Sequence, residues 1–289
     1  MAVEERDPFT GHRTTGHEWN GIKELNTPVP KPVYFFLIVF TVFSAVYWVL
    51  MPAWPLGRTY TKGLLGQDER DVVSFDLKEA ALRDASWRNE IERGSFDSLL
   101  RSEQTMLIVR ERGAAIFGDN CSACHGANAR GNNGFPSLLG ANLLWGNSPE
   151  QVMKTIRVGI NSVHAETRTS QMPAFGRDGL LDRHQIGQLA SYVRGLSNAR
   201  GADAAAIAAF QENCATCHGQ AATGNLELGA PNLTDADWVY GSDLQAVYRT
   251  IWNGRQGHMP SWEQRLSPVD IKLMALFLVD LRRRADEQR

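Results

Sequence analysis

Hydrophobic and polar positions divide the chain into three stretches of different texture. The longest apolar run, VYFFLIVFTVFSAVYWVLM over 33–51, holds 19 residues without a charge, proline or glycine. At 1.5 Å rise per residue it makes about 28 Å of helix, close to the hydrocarbon core of a bilayer. Tyr34, Tyr47, Trp48 and Trp54 stand near its ends, where amphipathic rings favour the interface. A secretory h-region spans only roughly 7–15 residues, and no concentrated basic cluster precedes this run, so it reads as a retained anchor rather than a cleaved signal. Lys23 and Lys31 precede it and Arg58 and Lys62 follow it, so flanking charge does not orient it.

The texture on either side differs. Residues 1–32 read as an irregular polar tail broken by Gly11, Gly16, Gly21, Pro28, Pro30 and Pro32. A charged connector covers 52–102; within it 70–93 reads as one or two amphipathic helices, with a break at Gly94. Beyond 103 the apolar spacing is helical. Helices are expected over 105–120 and 202–213, and over 182–196 and 267–281, where Ile186, Leu189, Ala190 and Val193 show the 3/4 spacing. Ser148-Pro149-Glu150 combines an N-cap, a proline at N1 and a first-turn acid, and Ser242-Asp243 offers a similar start. No alternating strand pattern competes, so this region is expected to be all-α.

It is also an internal repeat. Cys121-Ser-Ala-Cys-His125-Gly returns as Cys214-Ala-Thr-Cys-His218-Gly, Lys154-Thr155-Ile156 as Arg249-Thr250-Ile251, and Gly159 as Gly254. Gln171-Met172-Pro173-Ala174-Phe175 is echoed by His258-Met259-Pro260-Ser261-Trp262. The expected organisation is a tail (1–32), a transmembrane helix (33–51), a connector (52–102) and two domains (103–199 and 200–289).

Composition excludes one class. A net charge of −2 and the absence of a polybasic run argue against nucleic-acid binding. The run Arg282-Arg283-Arg284 reads as a solvated helix end. The four cysteines form two Cys-x-x-Cys pairs, each followed at once by a histidine. Two cysteines on one helical turn suit thioether bonds to the vinyl groups of one porphyrin, with the next imidazole within reach of the iron. Cys121 and Cys124, and Cys214 and Cys217, are thus expected to hold two covalent haem c groups, with His125 and His218 as axial ligands. A redox dithiol lacks its βαβ setting here, and a four-cysteine zinc site leaves the histidines unused.

An electron-carrying haem wants a sixth ligand, and methionine raises its potential. Met172 lies 47 residues after His125 and Met259 lies 41 after His218, each before a proline that stiffens the loop. Within each repeat, Met172 and Met259 are therefore the candidate ligands; His164 and His258 are rivals. Met106, Met153 and Met274 read as core filler. Trp145, Trp238 and Trp252 suit either a porphyrin wall or an ordinary core. Residues 103–200 carry 10 basic against 7 acidic side chains and 201–281 carry 4 against 9, so Asp235, Asp237 and Asp243 read as a solvated face or a docking surface for a basic partner.

The chain resembles the dihaem subunit (subunit III, FixP-like) of cbb3-type cytochrome c oxidases. The resemblance rests on His17-Glu18-Trp19-Asn20-Gly21-Ile22-Lys23-Glu24-Leu25-Asn26, the segment Thr61-Lys62-Gly63-Leu64-Leu65-Gly66, the two haem motifs, and Asn161-Ser162-Val163-His164-Ala165-Glu166-Thr167-Arg168 leading to Gln171-Met172-Pro173. His258 departs from it, standing where a small or apolar residue is expected. The resemblance implies an all-α fold with one membrane helix and two class I-like cytochrome c domains. It also implies a bacterial inner-membrane location, with the N-terminus cytoplasmic and the haem domains periplasmic. Electrons would pass from a donor cytochrome c to a monohaem cytochrome c subunit and a catalytic subunit that reduces oxygen and pumps protons; the chain has no oxygen site of its own. A dihaem cytochrome serving another oxidoreductase is the alternative. A dihaem peroxidase or a gas sensor fits less well, because both repeats carry the Met-Pro loop and no signalling domain remains.

Overall fold

A computed structural model describes residues 5–140, 143–196 and 203–288. The chain divides into two compact units, Met1–Arg83 and Asp84–Arg289.

In the first unit, strands β1 (Thr14–Trp19) and β2 (Ile22–Leu25) form an antiparallel hairpin with Trp19 opposite Ile22. The irregular tail expected over 1–32 is corrected by this hairpin; its residues 1–4 lie outside the described residues. Asn20 and Gly21 both take positive φ, 53° and 84°, the pairing a two-residue primed turn needs. Gly21 makes the element rather than interrupting it. Helix α1 (Lys31–Leu50) matches the apolar run within two residues, opens with Pro32 in its first turn and buries no residue. It is the one described helix long and apolar enough to cross a membrane.

Helix α2 (Glu69–Arg93) is single and continuous to Gly94. The amphipathic face expected of it is not found. Val72, Val73, Phe75, Leu77 and Leu82 point in several directions and are exposed, and only Ile91, near the C-terminus, is buried. α3 (Phe96–Arg101) follows, with Ser95 as its N-cap.

The second unit continues with α4 (Glu103–Asn120), α5 (Ser122–His125), α6 (Pro149–Val158), α7 (Arg183–Leu196), α8 (Ala204–Asn213), α9 (Ala215–His218), α10 (Leu244–Asn253) and α11 (Pro268–Glu287). The starts follow the cap chemistry. Ser148 accepts from the Gln151 N–H at 3.3 Å and Ser267 from the Asp270 N–H at 3.2 Å. In the second repeat the cap is Asp243, accepting from the Ala246 N–H at 2.9 Å. Asp182 and Gln185 cap each other's backbone N–H groups at the start of α7.

The packing exchanges the closing helices. α11, which ends the second repeat, lies on α4 and α6 of the first; α7, which ends the first repeat, lies on α8 and α10 of the second. One core joins Met106, Val109, Phe117, Val152 and Ile156 to Ile271, Met274, Leu276, Phe277 and Leu278. The other joins Ile186, Leu189 and Val193 to Phe210, Val247 and Ile251. The packed bodies therefore cut across the sequence halves.

The arginine run at the end of α11 takes part in this exchange instead of being a solvated end. Asp280 is only 1% exposed; it accepts from Arg110 Nε of α4 at 2.9 Å and from an Arg283 guanidinium nitrogen at 2.9 Å, and Arg284 Nε lies within ion-pair range at 2.9 Å. Burial alone would push this carboxyl up, but the three guanidinium groups hold it below the ordinary carboxylate range. Arg282 donates to the Gly140 carbonyl.

Candidate haem-binding sites

Each cysteine motif is one helical turn docked at the end of a longer helix. The Cys124 and His125 N–H groups both return to the Cys121 carbonyl, at 3.2 and 3.0 Å. Those of Cys217 and His218 return to Cys214 at 3.1 and 2.9 Å. The next turn is equally alike: Gly131 and Gly224 each donate to the carbonyl of the preceding histidine at 2.8 Å.

The loops that follow orient the imidazoles. Nδ1 of His125 lies 3.0 Å from the Pro136 carbonyl, and Nδ1 of His218 lies 3.0 Å from the Pro231 carbonyl. A carbonyl only accepts, so Nδ1 carries the proton and Nε2 keeps a lone pair for a metal. Burial lowers the pKa of both histidines, which favours the neutral, ligating form. Burial also pushes the Cys121 and Cys214 thiols up to about 11. The two cysteine pairs also border different cores.

A cavity of about 700 Å³ opens from the first motif. Cys121, His125, Leu139, Val152, Ile156 and Met259 line it. Met172 does not; it packs against the other core with Cys214 and Trp238. The expectation that each methionine serves the histidine of its own repeat is therefore not what the geometry brings together. His125 shares a cavity with Met259, and Met172 borders the same core as Cys214.

Two short antiparallel bridges make this crossing. Ile160 and Met259 exchange backbone hydrogen bonds of 2.9 Å each, and Met172 and Arg255 exchange bonds of 2.8 and 3.0 Å. Gly159 and Gly254 permit both. Their φ values are 71° and 67°, and a Cβ on either would come within 2.4 Å of the Met259 or Met172 carbonyl oxygen. Their recurrence in the repeat thus has a packing cause.

The rival ligands are engaged elsewhere. His164 Nε2 lies 2.7 Å from Glu263, and its Nδ1 accepts from the Glu166 N–H at 2.9 Å. His258 is exposed and bonds through Nδ1 to the Asn161 carbonyl at 2.9 Å. Trp145 and Trp238 line the cavity, whereas Trp252 stacks on Tyr248 and fills the space above Gly176. Trp262, which the sequence offers only as the end of the repeated Met-Pro segment, also lines the cavity. Asp235, Asp237 and Asp243, read from sequence as a feature of the second repeat, lie along the cavity of the first motif. The donor set (paired cysteines, a neutral histidine and a thioether around an apolar void) fits a haem c group.

Comparison with known proteins agrees with this chemistry. A family model described as the N-terminal domain of cytochrome oxidase-cbb3, FixP, matches residues 11–58. One described as cytochrome c matches 110–197, and one described as cytochrome C oxidase, cbb3-type, subunit III matches 201–278. A cbb3-type cytochrome c oxidase subunit FixP from Bradyrhizobium sp. (strain ORS 278) is 44% identical over 96% of this chain and 97% of its own length. A subunit CcoP from Azospirillum brasilense is 41% identical over 97% and 99%, and one from Cereibacter sphaeroides is 40% identical over 92% and 93%.

Proposed function

Since the chain belongs to the FixP/CcoP family of cbb3-type cytochrome c oxidase subunits, we propose that it carries electrons through two covalently held haem c groups toward the oxygen-reducing subunit of that complex. The haem supplies the one-electron chemistry. The protein's part is to tether, orient and shield it. Cys121 and Cys124 tether one group and Cys214 and Cys217 the other. His125 and His218 each keep Nε2 free for iron because a proline carbonyl holds Nδ1. Met259 would supply the thioether that holds the first group and Met172 the one that holds the second, each from the other repeat. The observation that carries this reading is the single cavity shared by Cys121, His125 and Met259.

Helix α1 anchors the chain in the inner membrane. We place the N-terminus in the cytoplasm and the haem-binding unit in the periplasm, the side on which c-type haem is attached. The partners are a monohaem cytochrome c subunit, the catalytic subunit and a donor cytochrome c.

The test uses a chain in which Cys214→Ser and Cys217→Ser leave only the first haem. Methionine ligation is followed by the sulfur-to-iron charge-transfer band. Met259→Leu should abolish that band in this background and Met172→Leu should leave it. The reverse result would restore ligation within each repeat. A mass showing fewer than two haems on the unaltered chain would overturn the dihaem reading itself.

A further inference from the structure

The last turn of a helix leaves backbone carbonyls without helical partners, and α1 has them filled by the chain that follows it. The Leu64 N–H donates to the Val49 carbonyl at 3.0 Å and the Leu65 N–H to the Leu50 carbonyl at 3.1 Å. Gly63 makes this return possible. Its φ is 70°, and a Cβ there would fall 2.3 Å from the Leu50 carbonyl oxygen.

The excursion between the helix and its return is closed on itself. Pro55 and Tyr60 pair in an antiparallel bridge, the Leu56 N–H donates to the Thr59 carbonyl at 2.6 Å and the Thr61 N–H to the Trp54 carbonyl at 2.9 Å. Thr61 Oγ1 accepts from the Trp54 N–H at 3.0 Å. Internal pairing of the backbone is what allows a non-helical segment to lie beside hydrocarbon. The side chains show the opposite economy. Trp54, Leu56, Leu64 and Leu65 are 53%, 63%, 78% and 56% exposed. Trp54 packs edge-on against Trp48 of α1 at 5.1 Å, so this patch continues the exposed apolar surface of the membrane helix. Its charges are Arg58 and Lys62, whose long stems can lie on apolar surface while their heads reach outward. Polar sequence resumes at Gln67-Asp68-Glu69.

We propose that residues 54–65 are a second membrane element: a collar that lies in the phospholipid interface at the C-terminal end of α1. Trp54, Leu56, Leu64 and Leu65 face the acyl boundary, and Arg58 and Lys62 face the lipid phosphates. The proposal rests on the reading of α1 as a membrane anchor. Because the Leu64 and Leu65 bonds tie the collar to the last turn of α1, the collar fixes the depth at which the helix sits.

Nitroxide labels on the full chain with both haems, reconstituted in phospholipid vesicles, test this. The native cysteines are engaged by haem, so Leu56→Cys, Leu64→Cys, Gln67→Cys and Val46→Cys each add one free thiol. Collision with oxygen should exceed collision with a water-soluble nickel complex several-fold at 56 and 64, as at 46, and the ratio should invert at 67. Gly63→Ala, which separates the return from the helix end, should lower the ratio at 64 and leave it at 46. Water-like ratios at 56 and 64 beside a bilayer-like ratio at 46 would overturn the collar and leave the anchor standing. A water-like ratio at 46 would overturn the anchor and the collar with it. The same labels are then read in the complete oxidase. Shielding of 56 and 64 from both reagents there would give the patch to a neighbouring subunit and overturn the assignment to lipid.

Discussion

The two packed bodies carry the same short motifs and end differently supported. Cysteine turns, histidine-to-proline bonds and the glycine before each crossing recur in both, although the histidine-to-proline loop spans 11 residues in the first and 13 in the second. The closing helices do not. α7, over the second body, runs 14 residues and buries four, on one face. α11, over the first, runs 20 and buries eight, including the continuous stretch Leu273–Leu278. A helix buried all round needs neighbours on more than one side. α11 has them in α4, α6 and α3, and Arg88 of α2 also grips Asp270 at 3.1 Å. The repeat carries the cysteine–histidine motif twice, and among the described residues the connector before it packs only on the first body.

This comparison can be broken at several points. The largest effect is expected from the exchanged helices themselves. Leu276→Ala, at a fully inaccessible position, should cost about 2–5 kcal/mol. It should loosen the haem on Cys121, although Leu276 belongs to the other repeat. Leu189→Ala should do the converse. Denaturation followed separately at the two haem signals would show it; losses confined to the haem of the mutated repeat would contradict the exchange.

Next come the crossing glycines. Gly159→Ala forces a Cβ against the Met259 carbonyl at positive φ, with strain of roughly 1–3 kcal/mol. The expected readout is weakened methionine ligation at the first haem, while Gly254→Ala weakens the second. Equal behaviour of both haems in either variant would mean the crossings do not define the ligands.

Asp280 sharpens the same contrast through pH. Its folded pKa is depressed, so the stability it contributes is present above the unfolded carboxyl value near ~4 and is lost as pH falls through the folded value. Asp280→Asn should cost about 2 kcal/mol at neutral pH and flatten the acid limb of unfolding of the first body only. An acid limb unchanged by the substitution would remove Asp280 as its source.

The smallest effect concerns Asp235, Asp237 and Asp243. They border the first cavity, so a basic donor is expected to meet the molecule there, and steering between exposed charges acts over a Debye length of about 8 Å at physiological salt. Reversing all three to lysine should slow donor oxidation less than about tenfold at low salt and little at high salt. An unchanged rate at low ionic strength would leave them a solvated face.

The linear chain determined what depends on neighbours a few residues apart. Those are the membrane helix, the cysteine turns with their histidines, the helix caps and the identity of both methionines as candidates. The hairpin was also there to be read, in Asn20-Gly21 between short strand-like runs. Tertiary structure decided which methionine lies in which packed body, because two repeats with like motifs offer like surfaces and periodicity does not say which copy a helix covers. The run Leu273–Leu278, too apolar for one face, was the one local sign of that choice. Burial of Asp280 was likewise unreadable beforehand, since it depends on what packs around an aspartate whose sequence context is that of a solvated surface.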